Sequence, residues 1–319
     1  MRLTSITVMV AGVALLAGCS LGESAPSDVE AGSLAEGVDL EGAQLTVGGK
    51  EFTEQLVLCE LTAQALESAG ATVDRSCGMS GSSSVRSALE SGDVDLYWEY
   101  TGTGWVNHLG ESELISDPQE LYTRLDESDR EKNGLAWLEP APANNTYAMA
   151  VATETADELS LSTLSDYAEL AGTDPEQASF CGAAEFFGRD DGWTGLQKAY
   201  HFQVPDSAVS ELAAGAVYSS IDKGRPCAFG EVFATDGRIA ALGLTVLEDD
   251  LKFFPIYNPS VSINAKVLEA DPGIEEVLAP IAEALDNETL QELNGKVDVD
   301  GETPEQVAND WLVSEGFVK

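Results

Sequence analysis

The fold is decided by residues 45–100, whose sequence is LTVGGKEFTEQLVLCELTAQALESAGATVDRSCGMSGSSSVRSALESGDVDLYWEY. Short runs rich in β-forming residues alternate here with amphipathic segments that place apolar side chains on one helical face. Gly70 and Gly92 follow the two amphipathic segments and predict where they end. Because strands joined by helices need right-handed crossovers, the stretch predicts a largely parallel sheet. The predicted order is strand 45–48, helix 53–69, strand 71–77, helix 82–91 and strand 94–100.

A second series of strands and helices begins near Tyr147. We therefore expect an α/β protein with two lobes, each a mainly parallel sheet flanked by helices. Residues 44–146 and 259–319 are assigned to lobe 1, and residues 147–258 to lobe 2. The facing strand ends of two such lobes form a cleft, which is where α/β proteins bind ligands.

Residues 1–18 have the features of an export signal. Their apolar run over residues 6–16 is too short to span a bilayer. It ends in Leu16-Ala17-Gly18-Cys19, which resembles the bacterial lipoprotein signal and implies a lipid on Cys19; the alternative is a plain signal peptide with an incidental cysteine. Residues 19–43 are polar and small without apolar periodicity, which predicts a flexible tether. The mature protein is expected on the outer face of the cell membrane, held by its lipid.

The remaining cysteines are an even set, which suits an oxidising compartment. Three pairings are possible, and four buried free thiols are the alternative. We favour the two pairs that each close within one half of the chain. No CxxC motif occurs, so neither a redox motif nor a zinc knuckle is predicted. The favoured pairs are Cys59–Cys77 and Cys181–Cys227.

Composition excludes several function classes. The 319 residues include 56 acidic and 16 basic side chains, for a net charge of −40. Nucleic acid is excluded as a partner, because a binder must neutralise phosphates with Lys and Arg. Two histidines, His108 and His201, leave little material for zinc sites or histidine catalysis, and no metal or cofactor is expected. The predicted protein is a soluble, monomeric domain.

Two segments at predicted strand ends carry candidate binding residues. The sequence GGKEFTEQ over 48–55 joins the first strand to the first helix, where glycines let the backbone approach a ligand. Lys50 in this loop is placed to hold a carboxylate, although a loop lysine can equally be solvated. The sequence DLYWEYTGT over 95–103 ends the third strand with alternating aromatics that either pack in the core or line a cleft.

These two segments resemble the osmoprotectant-binding proteins of ABC importers, a family that binds glycine betaine, choline, carnitine and related compounds. The resemblance covers about residue 45 to the C-terminus and implies a two-lobed periplasmic-binding-protein fold of type II. Four more segments match in order: NNTY at 144–147, EFFGRDDGW at 185–193, TDGRI at 235–239 and FFPIY at 253–257.

The family's ligand cation lies in a box of aromatic side chains, which the resemblance places on Tyr100, Tyr147, Phe233 and Tyr257 of this sequence. Phe233 departs from the tyrosine often found there and so removes one hydroxyl from the box. The family's carboxylate contacts fall on Lys50, Thr103 and Arg189, and Glu185 is expected to orient Arg189 from one helical turn away.

The physical argument agrees with the resemblance. A quaternary ammonium has no N–H donor, so aromatic faces select it, each contributing on the order of 0.5–2 kcal/mol. Lys and Arg at the other end pair with a carboxylate, which favours betaines over choline. The expected function is capture of such an osmolyte and delivery to permease subunits, without enzymatic activity.

Three alternatives stay open. In the first, the ligand is ergothioneine or another trimethylammonium amino acid. In the second, the protein signals to a receptor instead of supplying a transporter. In the third, it is an extracellular hydrolase that uses carboxylates such as Glu99 and Glu185. The hydrolase is disfavoured, since histidine is scarce and no Gly-x-Ser-x-Gly motif is present.

Overall fold

The computed structural model describes residues 30–113 and 115–319. The predicted export signal (1–18), Cys19 and the first part of the predicted tether lie outside these residues. Among the described residues, no helix combines the length and the apolar character needed to cross a membrane.

The described residues form two sheets surrounded by helices. The strands are β1 (Gln44–Lys50), β2 (Thr72–Met79), β3 (Leu96–Tyr100), β4 (Leu135–Trp137), β5 (Tyr147–Ala152), β6 (Phe180–Gly182), β7 (Val209–Glu211), β8 (Phe229–Phe233), β9 (Leu244–Leu247) and β10 (Pro259–Asn264). The helices are α1 (Thr53–Ser68), α2 (Ser82–Ser91), α3 (Pro118–Asn133), α4 (Thr153–Leu159), α5 (Leu164–Thr173), α6 (Ala184–Gly188), α7 (Trp193–Ala199), α8 (Ala214–Lys223), α9 (Arg238–Ala241), α10 (Ala265–Ala270), α11 (Gly273–Ala284), α12 (Asn287–Asp298) and α13 (Pro304–Ser314).

Each sheet has five strands, in the orders β2-β1-β3-β10-β4 and β7-β6-β8-β5-β9. We call the first sheet with its helices lobe 1 and the second lobe 2. In each sheet four strands are parallel and one, β10 or β5, is antiparallel to its neighbours. The predicted two-lobed, mainly parallel α/β fold is confirmed. In β5 and β10 the chain arrives directly from the other lobe. No crossover helix precedes these strands to return the chain in the parallel direction.

Helix α1 forms the centre of lobe 1. It begins after Phe52 and ends before Gly70, whose positive φ of 103° stops the helix. The helix packs on β1 and β2 with one face and on α12 and α13 with the other. Burial on both faces makes α1 a fixed support for the loop that precedes it.

The prediction of a flexible tether over residues 19–43 was wrong for residues 30–43. Leu34 and Leu40 are only 4% and 3% exposed and belong to the apolar core of lobe 1. Leu40 donates its N–H to Ala69, and Ala31 pairs with Val318 near the C-terminus. Two isolated leucines carry no helical or strand periodicity, yet they bury enough apolar surface to fix the segment.

Both favoured disulfides are confirmed. Cys59 of α1 is bonded to Cys77 of β2, and Cys181 of β6 is bonded to Cys227 just before β8. The Cα–Cα distances are 6.2 Å and 5.6 Å. Each bond therefore joins neighbouring elements within one lobe.

Candidate functional site

A cavity of about 910 Å³ lies between the lobes, and all eight predicted binding residues line it. Strand ends supply four of the eight, because β1, β3 and β8 end, and the antiparallel β5 begins, at the edge that faces the other lobe. Lys50, Tyr100 and Thr103 come from lobe 1. Tyr147, Glu185, Arg189 and Phe233 come from lobe 2, and Tyr257 lies on the chain segment that returns to β10.

A second cavity of about 480 Å³ lies beside the two crossings between the lobes and shares Tyr147 with the first. Its lining mixes aliphatic with polar and charged side chains and holds two aromatic side chains, Tyr147 and Phe254. The interlobe cavity holds five aromatic side chains and the buried charged groups, so it is the candidate site.

The five aromatic side chains of the interlobe cavity form a connected group, which we call the aromatic cluster. Its members are Phe52, Tyr100, Tyr147, Phe233 and Tyr257. The Tyr147 ring centroid lies 5.4 Å from that of Phe233 and 5.5 Å from that of Tyr257. Tyr147 and Phe233 face each other because β5 and β8 pair them in register. Phe52 lies 5.0 Å from Phe233 and 6.3 Å from Tyr100, and so links the rings of the two lobes.

Sequence reasoning missed Phe52 although it quoted the segment that contains it. The signal was available: an aromatic residue directly before a helix that begins at the cleft.

Arg189 is buried and already paired within its own lobe. Its Nε and Nη2 donate to the two carboxylate oxygens of Asp191 at 2.7 and 2.6 Å, and Tyr257 also donates to Asp191 at 2.5 Å. Nη1 donates to Glu185 at 3.2 Å, which is the orienting contact expected from the sequence. Arg189 also lies 5.5 Å from the Tyr147 ring centroid and 5.9 Å from that of Tyr257. Asp191, which had no predicted role, fixes this group.

Lys50 is paired with Glu99 at 2.5 Å and lies 4.9 Å from the Tyr100 ring centroid. Glu99 also contacts His108 Nε2 at 3.0 Å and accepts from Tyr97 at 3.1 Å. Burial alone raises the pKa of Glu99, but Lys50 and His108 outweigh it and hold that pKa at about 2. Glu99 is therefore ionised at neutral pH and balances the charge of Lys50.

The two lobes touch across the cavity. Ser82, at the start of α2, donates its hydroxyl to Glu185 at 2.7 Å and its backbone N–H at 3.2 Å. Arg189 Nη1 lies 3.5 Å from the Thr103 hydroxyl. Burial raises the pKa of Glu185, and Lys50, Ser82 and Arg189 together lower it below its usual value, so this carboxylate is ionised. Each buried cation of the site thus faces at least one carboxylate, and no cation is left to attract an anion by itself.

Among the residues that the structure describes, no group of three or more His, Cys, Asp and Glu side chains is arranged to hold a metal ion. The cavity presents aromatic faces, cationic side chains and hydrogen-bonding groups to a ligand.

A family model described as the substrate-binding domain of an ABC-type glycine betaine transport system matches residues 43–314. The chain belongs to this family. It is 37% identical over 289 residues to the glycine-betaine-binding protein of Pseudomonas aeruginosa, covering 88% of this chain and 91% of that protein. The predicted class, an extracytoplasmic substrate-binding domain, agrees with this family.

Two further relatives are informative. The chain is 33% identical over 274 residues to the ergothioneine transport permease/ergothioneine binding protein EgtU of Helicobacter pylori, covering 86% of this chain and 48% of that protein. The solved structure of apo YehZ from Escherichia coli superposes with a TM-score of 0.65 at 32% identity, covering 86% of this chain and all of that one.

This substrate-binding domain has one further buried group that the sequence did not reveal. Glu54, in the first turn of α1, is 3% exposed and accepts four hydrogen bonds. Tyr100 and Asn145 donate to its Oε1, both at 2.7 Å; Thr235 donates to Oε2 at 2.5 Å and Asn294 at 3.0 Å. Thr235 belongs to lobe 2 and Tyr100 to lobe 1, so Glu54 joins the aromatic cluster to the contact between the lobes.

Proposed function

We propose that this protein captures a quaternary-ammonium osmolyte, such as glycine betaine, choline or carnitine, and delivers it to the permease of an ABC importer. The observation that carries the proposal is the aromatic cluster, five rings from both lobes around one cavity. A trimethylammonium group has no N–H to donate, so only aromatic faces and nearby carboxylates recognise it, and several faces together supply much of a micromolar affinity of roughly −8 kcal/mol.

The charges of the site support a cationic ligand. Lys50 and Arg189 are matched by Glu99, Asp191 and Glu185. These two cations and three carboxylates carry a net charge of −1, so addition of a cation to the set costs less than addition of a lone anion. A zwitterionic betaine fits best, with its nitrogen among the rings and its carboxylate at Lys50, Thr103 and Arg189.

Closure of the lobes completes the site in this proposal. Residues 44–146 with 259–319 and residues 147–258 move as two bodies about the crossings near residues 146 and 258. A ligand favours the closed form only through contacts that improve on closure, and a group held by Tyr100 and Tyr147 together supplies such contacts.

In this proposal the protein is a monomeric carrier and not an enzyme. A lipid on Cys19 tethers it outside the cell. Mass spectrometry of the protein purified from membranes tests the anchor. A diacylglyceryl group on the Cys19 sulfur is the expected finding, and an unmodified Cys19 thiol contradicts it.

Calorimetric titration with glycine betaine, choline, L-carnitine and ergothioneine tests the function. We expect at least one of these compounds to bind with micromolar or lower Kd. The absence of a binding heat for all four, with the protein shown to be folded by thermal unfolding, refutes the proposed ligand class.

A further inference from the structure

Glu231 is a buried carboxyl group of the cavity that has no role in the function proposed above. It lies in the middle of β8 and is 4% exposed. Its Oε2 accepts the backbone N–H of Ala183 at 2.7 Å. Its Oε1 has no hydrogen-bond partner among the described residues, yet it is not enclosed by protein, and Glu231 lines the interlobe cavity. One carboxyl oxygen is therefore held in place and the other is open to a ligand.

Glu231 differs from Glu99 and Asp191 because no cation pairs with it, and from Glu54 because one of its oxygens has no donor among the described residues. Within the described residues, Glu99 and Asp191 each form a short ion pair, whereas Glu231 forms none. Arg189 and Glu185 of the α6 region, Tyr147 of β5 and Glu211 of β7 are the charged or titratable groups that share this wall. Burial raises the pKa of Glu231 to about 8, so its carboxylate form, which accepts hydrogen bonds, predominates only above pH 8, and the titrations described below are therefore made at pH 9. An unpaired carboxyl in such a setting gains much from a hydrogen bond supplied by a ligand.

The position of Glu231 relates it directly to the aromatic cluster. Glu231 and Phe233 are two residues apart on β8, so their side chains leave the same face of the sheet. Their backbone positions are therefore about 7 Å apart. Phe233 faces Tyr147 across the ladder, and Glu231 faces Met149. A ligand with its nitrogen against Phe233 and Tyr147 reaches Glu231 with a group several bonds away.

We infer that Glu231 is a second binding point of the site and selects trimethylammonium ligands that also carry an N–H or O–H donor. The inference rests on the proposed function, and it narrows the ligand class. Glycine betaine has no such donor and leaves Glu231 unused. A trimethylammonium amino acid with a donor-bearing ring engages both ends.

The variant Glu231→Gln tests this assignment. The glutamine oxygen keeps the hydrogen bond from Ala183, so the amide NH2 faces the cavity and a donor replaces an acceptor. Glu211→Gln is the matched control, since Glu211 lines the same cavity but is exposed. The two probes are ergothioneine, whose ring carries two N–H donors, and glycine betaine.

Calorimetry of the wild type is expected to show binding of both probes. Glu231→Gln is expected to weaken ergothioneine about tenfold or more, because an N–H then faces an N–H, and to change glycine betaine less than about twofold. Glu211→Gln is expected to change neither. Unchanged ergothioneine affinity in Glu231→Gln overturns the inference, as does a wild type that binds glycine betaine but not ergothioneine.

If Glu231→Gln fails to fold, a comparison of two ligands on the wild type still tests the inference. Phenylalanine betaine has the same trimethylammonium and carboxylate groups as ergothioneine and an aromatic ring without N–H donors. We expect it to bind about tenfold more weakly than ergothioneine, and equal affinities contradict the role of Glu231. Failure of the wild type to bind any of these compounds, glycine betaine included, refutes the proposed function itself.

Discussion

At the residue scale, the aromatic cluster depends on faces and not on hydroxyl groups. The contributions of the ring and the hydroxyl can be tested separately at Tyr147. Its hydroxyl has no hydrogen-bond partner among the described residues, while its ring contacts Phe233 and Tyr257. Tyr147→Leu is expected to weaken binding of glycine betaine by about 1–2 kcal/mol, or roughly tenfold. Tyr147→Phe keeps the ring and is expected to bind nearly as the wild type. Calorimetric Kd values of both variants for glycine betaine test this prediction. Equal losses of affinity in the two variants argue against recognition by the ring.

The pair of Lys50 and Glu99 predicts a pH dependence of stability. Folding lowers the pKa of Glu99 from 4.5 to about 2, so its stabilising contribution is complete above pH 4.5 and is lost as pH falls toward 2. The contribution corresponds to about 3 kcal/mol. Glu99→Gln is expected to be less stable than the wild type at pH 7, with a difference that shrinks below pH 4.5. Denaturant unfolding from pH 7 to 3 measures this, with the exposed Glu127→Gln as control; a constant difference contradicts the assignment.

The sequence predicted the aromatic and basic positions because they lie in segments with a recognisable order. Of their acidic partners it predicted Glu185, beside Arg189, but not Glu99 or Asp191. Lys50 and Glu99 are 49 residues apart, and the pair forms only because β1 and β3 are neighbours in the sheet. With 56 acidic residues in the chain, an acid such as Glu99 or Asp191 carries no local signal that it is buried and paired.

At the scale of elements, Glu54 ties the start of α1 to the end of β3, the first crossing, the loop after β8, and α12. Its four partners are all donors. Glu54→Gln introduces an amide NH2 that faces an asparagine NH2 at either end, so we expect a loss of about 2–3 kcal/mol in unfolding free energy. Weaker ligand binding is also expected, since Tyr100 loses its support. Thermal and denaturant unfolding test this against the exposed control Glu275→Gln, and equal stability of the two variants contradicts the role of Glu54.

Elements with strong periodicity were predicted closely. The helices predicted over 53–69 and 82–91 are Thr53–Ser68 and Ser82–Ser91 in the structure. Helix α12 was missed because Gly295 lies inside its pattern and weakens the helical signal. The three-residue strands β4 and β7 are too short to show alternation, and only their neighbours in the sheet fix them.

At the scale of the whole molecule, the lobes approach each other closely at Gly237 and Gly295. A Cβ added at Gly237 would lie 2.6 Å from the Gly295 Cα and 2.8 Å from the Gln291 carbonyl oxygen, both in α12. Gly237→Ala is therefore expected to oppose closure and to weaken ligand binding about tenfold.

The control for Gly237→Ala is Gly172→Ala, where an added Cβ meets nothing within 4 Å and the backbone is not left-handed. Small-angle scattering in saturating ligand is expected to give a larger radius of gyration for Gly237→Ala than for the control. If the two variants show the same Kd and the same radius, the contact between α9 and α12 does not govern closure.

Ligand recognition in the proposed site depends most on a positive charge held by aromatic faces. Calorimetric comparison of glycine betaine with 3,3-dimethylbutanoate tests this directly, because the second compound has the same shape and carboxylate but carbon in place of the charged nitrogen. We predict that this analogue, which lacks the positive charge, binds at least about tenfold more weakly than glycine betaine to the wild type, and that the two affinities converge in Tyr147→Leu. Equal affinity of the two compounds for the wild type would contradict the central claim.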